Sequence, residues 1–217
     1  MVKIAPSILA ADFGKLAEEL KLVEEGGADF IHFDIMDGNF VSNISFGPVV
    51  LKSLRGRSRL PFEAHLMVEE PYLFIAPFVE AGVDMITVHV ECFHKLYSTI
   101  ELIKSFGKKV GLALNPPTQL SASEYLLQKI DMLLIMTVDP GFGGQRFIPE
   151  MLPKIRKARQ LIDENGLKVD LAVDGGIDEK TAPLVVKEGA DILAAGSAIF
   201  NKKNPKDALE MLKRSLR

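Results

Sequence analysis

The chain is poor in cysteine, has no long apolar run and carries no excess of basic charge. Cys92 is its only cysteine, which excludes an intramolecular disulfide framework and any multi-cysteine metal site. That usage fits a reducing compartment. No apolar stretch approaches the ~18–20 residues that a membrane helix requires. Pro6, Asp12, Lys15, Glu18 and Glu19 break up what a secretory leader would need as a continuous apolar core. A cytoplasmic protein without a membrane partner is therefore expected. A formal net charge of −3, with no basic stripe, argues against nucleic acid as a partner. It leaves open a small phosphorylated ligand, which needs only local donors. No low-complexity segment or linker divides the chain, so residues 1–217 are expected to form one domain.

What is present is the composition of a packed globular protein, with 47% hydrophobic and 25% charged residues. Short β-branched or apolar runs recur at Lys3–Ser7, Phe30–Asp34, Phe62–Met67, Met85–His89, Lys109–Leu114, Met132–Val138, Val169–Asp174 and Ile192–Ala195. Between them lie stretches of helical periodicity: Phe13–Glu25, Tyr72–Ala81, Leu96–Phe106, Pro153–Asn165, Thr181–Glu188 and Asp207–Leu216. Gly26, Gly82, Gly107, Gly166 and Gly189 stand where left-handed C-terminal caps are wanted. The segments EEGGADFIHFD, VEAGVDMITVHV and VKEGADILAAG share a helix end, a glycine, an aspartate and a strand. Alternation of this kind implies a parallel sheet with helices outside. Eight units imply closure into a (β/α)8 TIM barrel, with an open doubly wound sheet as the alternative.

A barrel keeps its chemistry at the C-terminal ends of its strands. His32, Asp34 and Met36 are two apart in the second run, and His65 and Met67 are two apart in the third, so each set shares a strand face. Asp174 ends the seventh. Two imidazoles and two carboxylates at one mouth suit a single divalent ion: zinc, iron(II), manganese or cobalt. Four separately hydrogen-bonded loop residues would be the plainer alternative. Aspartates on opposite sides of a planar intermediate fit epimerisation: one removes a proton beside a ketone, the other returns one to the opposite face, and an ion stabilises the enediolate. A metal-dependent hydrolase could use the same ligands.

Three glycine clusters lie near adjacent strand ends: Gly141, Gly143 and Gly144 around Phe142, then Gly175 and Gly176, then Gly196 before Ser197. Their N–H groups can cradle a phosphate, or they simply make tight turns. The eleven residues Asp139–Pro149 exceed an ordinary βα loop and suggest a lid. Ser7 can donate to a ligand oxygen or cap its own turn. Met36, Met67 and Met136 fall on inward phases near the mouth, where methionine is commonly core filler. His89 and Glu91 close the fourth run, the histidine reading as a local hydrogen-bonding group. Cys92 and His94 have no evident task.

The segments APSILAADF, HFDIMDGNFV, AHLM, MTVDPGFGGQRFIPEMLPKI, VDGGI and AGSAIF together resemble the ribulose-phosphate 3-epimerase family over nearly the whole chain. The resemblance implies a (β/α)8 barrel that interconverts D-ribulose 5-phosphate and D-xylulose 5-phosphate in the pentose phosphate pathway. It implies His32, Asp34, His65 and Asp174 as metal ligands, and Asp34 and Asp174 as the two acid/base residues. Ser7 and His65 are implied as substrate contacts. Met36, Met67 and Met136 are implied as thioethers beside the enediolate. Gly141, Phe142, Gly143, Gly144, Gly175, Gly176, Gly196 and Ser197 match the phosphate site. It also implies a homo-oligomer, the family forming assemblies of different sizes. Asn39 and Ser42 depart from the family's usual histidine and proline, in the loop after the second strand.

A 3-epimerase of a six-carbon ketose phosphate such as D-allulose 6-phosphate would use the same ligands. A non-catalytic sugar-phosphate binder would have no reason to keep both aspartates and both histidines. Decarboxylases and hexulose-phosphate synthases of similar barrels carry an Asp-x-Lys-x-x-Asp motif at strand three. This chain has Glu63-Ala64-His65-Leu66-Met67-Val68 there. Schiff-base aldolase chemistry also needs a strand-end lysine, and none stands at the mouth.

Overall fold

A computed structural model describes residues 2–92 and 94–216. Eight strands form one parallel sheet: β1 (Lys3–Pro6), β2 (Ile31–Met36), β3 (Phe62–Met67), β4 (Met85–His89), β5 (Lys109–Leu114), β6 (Met132–Met136), β7 (Asp170–Asp174) and β8 (Ile192–Ala195). They are hydrogen-bonded in the order β1-β8-β7-β6-β5-β4-β3-β2. A parallel bridge between Ser7 and His32 draws β1 to β2 and brings the barrel round. The helices are α1 (Leu16–Glu25), α2 (Pro48–Arg55), α3 (Ile75–Glu80), α4 (Leu96–Ser105), α5 (Leu152–Glu164), α6 (Ala182–Lys187), α7 (Ser197–Phe200) and α8 (Pro205–Arg214).

The strands fall where hydrophobic patterning puts them, with ends shifted by one or two residues. The helices hold more surprises. α2 has no expected counterpart, because its apolar signal is short: only Leu51 and Leu54 are buried, one turn apart, behind Pro48 at its start. The β5–β6 connection carries only 3-10 turns, Leu120–Ala122 and Glu124–Lys129. Pro116 and Pro117 open it and serines follow, a poor start for an α-helix. One cap differs from expectation. Gly26 is right-handed at φ −72° and the next residue, Gly27, takes the left-handed turn at +82°.

The recurring glycine-aspartate segment has a structural cause at the barrel's N-terminal rim. Asp29, Asp84 and Asp191 each precede an even-numbered strand. Each donates its N–H to a carbonyl of the preceding odd strand, on Ile4, Phe62 and Leu171, at 3.0, 2.8 and 2.7 Å. Each carboxylate then accepts the N–H of that same residue at 2.8, 2.8 and 2.9 Å. Asp131 does the same with Val110, at 2.8 Å for both bonds, although no glycine precedes it. The clamp therefore occurs at all four odd–even strand pairs, tying off N–H groups that strand pairing leaves free.

Between the strands and the helices lies the main core, which includes Phe33, Phe62, Leu66, Ile86, Leu112 and Leu133. Inside the barrel the lining is divided. Ala5, Ala113, Leu134, Met136 and Ala172 form an apolar cluster from β1 and β5–β7. The inward positions of β2, β3 and β4 instead include the polar residues His32, Asp34, Glu63, His65, Thr87 and His89, all buried. Charged and polar groups are rarely buried unless partnered, so this half of the barrel marks the site. Among the described residues no helix is long and apolar enough to cross a membrane.

Candidate active site

The two-residue repeat of a strand puts His32 and Asp34 on one inward face of β2, and β2–β3 pairing sets Asp34 beside His65. Asp174, at the end of β7, reaches the same point from the other side. His32 Nε2 lies 3.1 Å from Asp34 Oδ1 and 3.7 Å from Asp174 Oδ2. His65 Nδ1 lies 3.1 and 3.9 Å from the same oxygens, and 3.2 Å from His32 Nε2. One donor atom from each residue falls within 4.8 Å of all the others.

Proton accounting shows what such a cluster asks for. His32 Nδ1 faces Glu63 Oε2 at 2.7 Å, and the hydroxyl of Thr87 donates to Glu63 Oε1 at 2.6 Å. A carboxylate only accepts, so His32 carries its proton on Nδ1 and turns a lone pair on Nε2 toward Asp34 and Asp174. Lone pairs facing lone pairs at this range repel unless a cation or a proton sits among them. The charges tell the same story. Burial opposes charge on His32, yet the carboxylates of Glu63 and Asp34 raise its pKa well above the ordinary imidazole value. A tetrahedral ion with bonds of about 2.0–2.1 Å keeps its ligands about 3.3 Å apart, close to the separations here. The donor set therefore fits one divalent cation.

The two aspartates are driven in opposite directions. Burial alone would raise Asp34, but His32 and His65 overcome it and hold its carboxyl far below the usual range. Burial, and then the charge of Asp34, push Asp174 up to about 6. Such divergence is how paired carboxylates take complementary acid and base roles.

Above the cluster lies a small cavity of about 60 Å³ that opens to solvent. Ser7, Met36, Met67, Met136, Gly141, Phe142, Gly143, Gly144, Asp174, Gly175, Gly176, Gly196 and Ser197 all line it, as does Asp34. His32 and His65 lie beneath it and do not. Ser7 both caps the turn Ile8–Ala10 and donates to Asp34 Oδ2 at 2.5 Å. Met36 and Met67 pack with Val41, Leu9 and Phe40, walling one side with apolar surface. Two glycines are obligatory. Gly176 has φ +66°, and a Cβ there would lie 2.4 Å from the backbone nitrogen of Phe147; Gly175 has φ +115°, and its Cβ would lie 2.5 Å from Val138. The turn after β7 thus presses directly against the chain that follows β6.

The loop Asp139–Pro149 folds over the cavity. Gln145 Nε2 donates to the carbonyls of Asp139 and Phe142 at 2.5 and 3.0 Å, and Asn43 Nδ2 donates to Gly141 O at 2.7 Å. The loop after β2, with its Asn39 and Ser42, is organised by Asp37, which accepts the N–H groups of Asn39, Phe40 and Glu69 at 2.8, 3.0 and 2.9 Å.

Sequence reasoning did not single out Glu63, Thr87, Asn43 or Gln145. Glu63 had a usable signal, being a carboxylate two residues before His65 on the same inward face. Gly111 adds to it: a Cβ there would meet Thr87 Oγ1 at 2.1 Å, so its bareness makes room for the hydroxyl that holds Glu63. His89, expected to satisfy a local hydrogen bond, contacts both His65 and Glu91. Burial keeps it neutral, its pKa held down to about 4.

Comparison with known proteins meets this geometry from outside. A 3-hexulose-6-phosphate synthase shares the fold, with a TM-score of 0.70 at 20% identity, covering 100% of this chain and 99% of that one. So does KGPDC from Streptococcus mutans, with a TM-score of 0.72 at 14% identity and coverage of 100% and 97%. These likenesses concern the barrel alone. Sequence similarity goes further. The chain is 47% identical over 216 residues to ribulose-phosphate 3-epimerase of Bacillus subtilis (strain 168), covering 99% of this chain and 100% of that protein. It is 51% identical over 213 residues to the enzyme of the same name from Methanocaldococcus jannaschii, covering 98% and 90%. The corresponding Escherichia coli (strain K12) protein is 44% identical, with coverage of 98% and 95%. The family model described as "Ribulose-phosphate 3 epimerase family" matches residues 3–200. With the paired aspartates, the buried imidazoles and the glycine-rich rim in place, the chain belongs to the ribulose-phosphate 3-epimerase family.

Proposed function

We propose that this epimerase interconverts D-ribulose 5-phosphate and D-xylulose 5-phosphate by proton transfer at C3 between Asp34 and Asp174. The observation that carries the reading is the convergence of two carboxylates and two imidazoles within 4.8 Å at the floor of the cavity. Asp34 stands on one side of the cluster and Asp174 on the other. One removes the C3 proton from one face of the ketose, and the second delivers a proton to the opposite face of the planar enediolate. Ser7 holds Asp34 in place and offers a hydroxyl to the substrate. Met36, Met67 and Met136 exclude water from the reacting carbons without offering a competing proton. The N–H groups of Gly175, Gly176, Gly196 and Ser197, with those of the loop Gly141–Gly144, receive the phosphate; the short α7 after β8 is placed as in barrels that bind phosphate there.

His32, Asp34, His65 and Asp174 would hold a zinc, iron(II), manganese or cobalt ion, whose charge stabilises the enediolate oxygens when bound. His32, Asp34, His65 and Asp174 all stand on strands of one eight-stranded sheet, and we read residues 1–217 as one domain. We also read the chain as a cytoplasmic homo-oligomer. Ile44 and Val49 are 73% and 80% exposed on either side of Phe46, whose ring packs on Phe13 at 5.3 Å. Sedimentation velocity tests that part.

The deciding experiment follows D-ribulose 5-phosphate by proton NMR in D₂O. Xylulose 5-phosphate deuterated at C3 is expected. Chelation should abolish its formation, and one of the four ions should restore it. No product with any of those ions would reject the assignment, and turnover of a six-carbon ketose phosphate instead would transfer it to that substrate.

A further inference from the structure

His65 is the imidazole of the cluster with no carboxylate behind it. Its Nε2 lies 2.8 Å from Nε2 of His89, and the two rings stack at 5.0 Å with 18° between their planes. His89 Nδ1 in turn lies 3.1 Å from Glu91 Oε2. The other oxygen of Glu91, Oε1, accepts the backbone N–H of Asn115 at 2.8 Å and the hydroxyl of Thr118. The carbonyl of Asn115 is itself engaged by Lys154 Nζ at 2.7 Å, which pins that peptide.

Counting protons along this line leaves one arrangement for two neutral rings. The carboxylate only accepts, so His89 carries its proton on Nδ1 and has a lone pair on Nε2. That lone pair accepts from His65, which must therefore carry its proton on Nε2. Nδ1 of His65 is then bare, and it faces Asp34, His32 and Asp174. We propose that Glu91, acting through His89, is a positioning residue that sets the tautomer of His65 and so presents Nδ1 to the four-donor centre as a lone pair. The proposal deepens the metal-site reading above and rests on it for its consequence, but the tautomer itself is a property of the protein alone.

The geometry makes a discriminating pair of substitutions available. In Glu91→Gln the side-chain oxygen is claimed by the N–H of Asn115, a fixed donor that cannot become an acceptor. The amide nitrogen must then face His89. Donating to Nδ1 moves the His89 proton to Nε2, moves the His65 proton to Nδ1, and turns a ligand atom into an N–H. In Glu63→Gln the partner of the far oxygen is the hydroxyl of Thr87, which can accept as well as donate. There the glutamine can keep its oxygen toward His32, so the His32 tautomer stays as it is.

The test combines ¹⁵N-histidine NMR at pH 8 with zinc and manganese affinities measured by chelator competition, on wild type and both variants. Wild type should show His89 protonated on Nδ1 and His65 on Nε2. Glu91→Gln should reverse both and weaken metal binding about 10–100-fold, the usual scale for a lost outer partner of a ligand. Glu63→Gln should leave the His32 proton on Nδ1. A wild-type His65 protonated on Nδ1 overturns the proposal without any variant, so a Glu91→Gln chain that does not fold still leaves it testable. Unchanged tautomers and affinity in a folded Glu91→Gln also overturn it. If wild type binds neither ion yet has the stated tautomers, the metal-site reading fails and the relay stands.

Discussion

Asp174→Asn removes one proton carrier while keeping the side chain's shape. Its backbone carbonyl accepts from the Thr137 N–H at 2.7 Å and from the Thr137 hydroxyl at 2.9 Å, and its pairing with Met136 and Ala194 is main-chain. The variant should therefore fold with an unfolding midpoint close to wild type. The chemical loss is larger. A positioned acid/base group contributes roughly 10²–10⁴ in rate, or about 3–5 kcal/mol of barrier at 1.36 kcal/mol per tenfold. The amide also replaces an anionic donor facing His32 and His65 at 3.7 and 3.9 Å with a neutral one. Turnover should thus fall toward the upper end, roughly 10⁴-fold. NMR in D₂O adds a sharper readout. With Asp34 intact, one of the two pentulose phosphates should still exchange its C3 proton for deuterium, while inversion is lost. A kcat within tenfold of wild type, at unchanged metal content, would refute the role given to Asp174.

Gly176→Ala places a Cβ 2.4 Å from Phe147 N at φ +66°. Overpacking costs about 1–3 kcal/mol and a left-handed residue about 1–2 more, so urea denaturation should show a loss of about 2–5 kcal/mol, and an unchanged midpoint would contradict the close approach. Asn43→Ala frees Gly141 of its 2.7 Å tether; KM for the ketose phosphate should rise severalfold with kcat less affected, and an unchanged KM would mean that the loop does not help to hold substrate. Asp174, raised from 3.8 to about 6 in the folded protein, gains stability as pH falls through that window and offsets any loss there. Acid sensitivity is therefore best read in Asp174→Asn, whose stability should fall with acid in two stages. His89, depressed from 6.5 to about 4, is bound to more protons when unfolded, so its share is lost as pH drops from about 6.5 to 4. Glu91, depressed from 4.5 to about 2, then loses its share, at most about 3 kcal/mol, as pH drops from about 4.5 toward 2. A melting temperature of Asp174→Asn constant from pH 7 to 4 would contradict the first stage. Burial pushes the Cys92 thiol up to about 12, and it donates to Val68 O at 3.2 Å. Iodoacetamide at pH 8 should leave it unmodified in the native protein and label it readily in denaturant, native labelling at the denatured rate being the contrary result.

Much of this molecule was legible residue by residue. Strands such as Phe62–Met67 and Met132–Met136 announce themselves because a strand buried on both faces must be apolar nearly throughout. The few polar residues breaking that rule, His32, Asp34 and His65, stand out for the same reason. Period-two alternation alone places them together on one face of each strand. Repetition of glycine and aspartate before even-numbered strands was visible too, though not the paired hydrogen bonds that explain it. α2 was missed because two buried leucines are too few for a periodic signal.

Tertiary structure decided everything that depends on distance between strands. Nothing local says that Glu63 faces His32, that Thr87 backs Glu63 across a bare Gly111, or that His89 bridges His65 to Glu91. Those partners lie 31, 24 and 24 residues apart and meet only through sheet register. The chemical identity of the donors was written in the sequence, since side-chain type fixes what an atom can accept or give. Which nitrogen of each histidine is free to act was settled by the barrel, because a tautomer is chosen by the neighbour on the ring's far side.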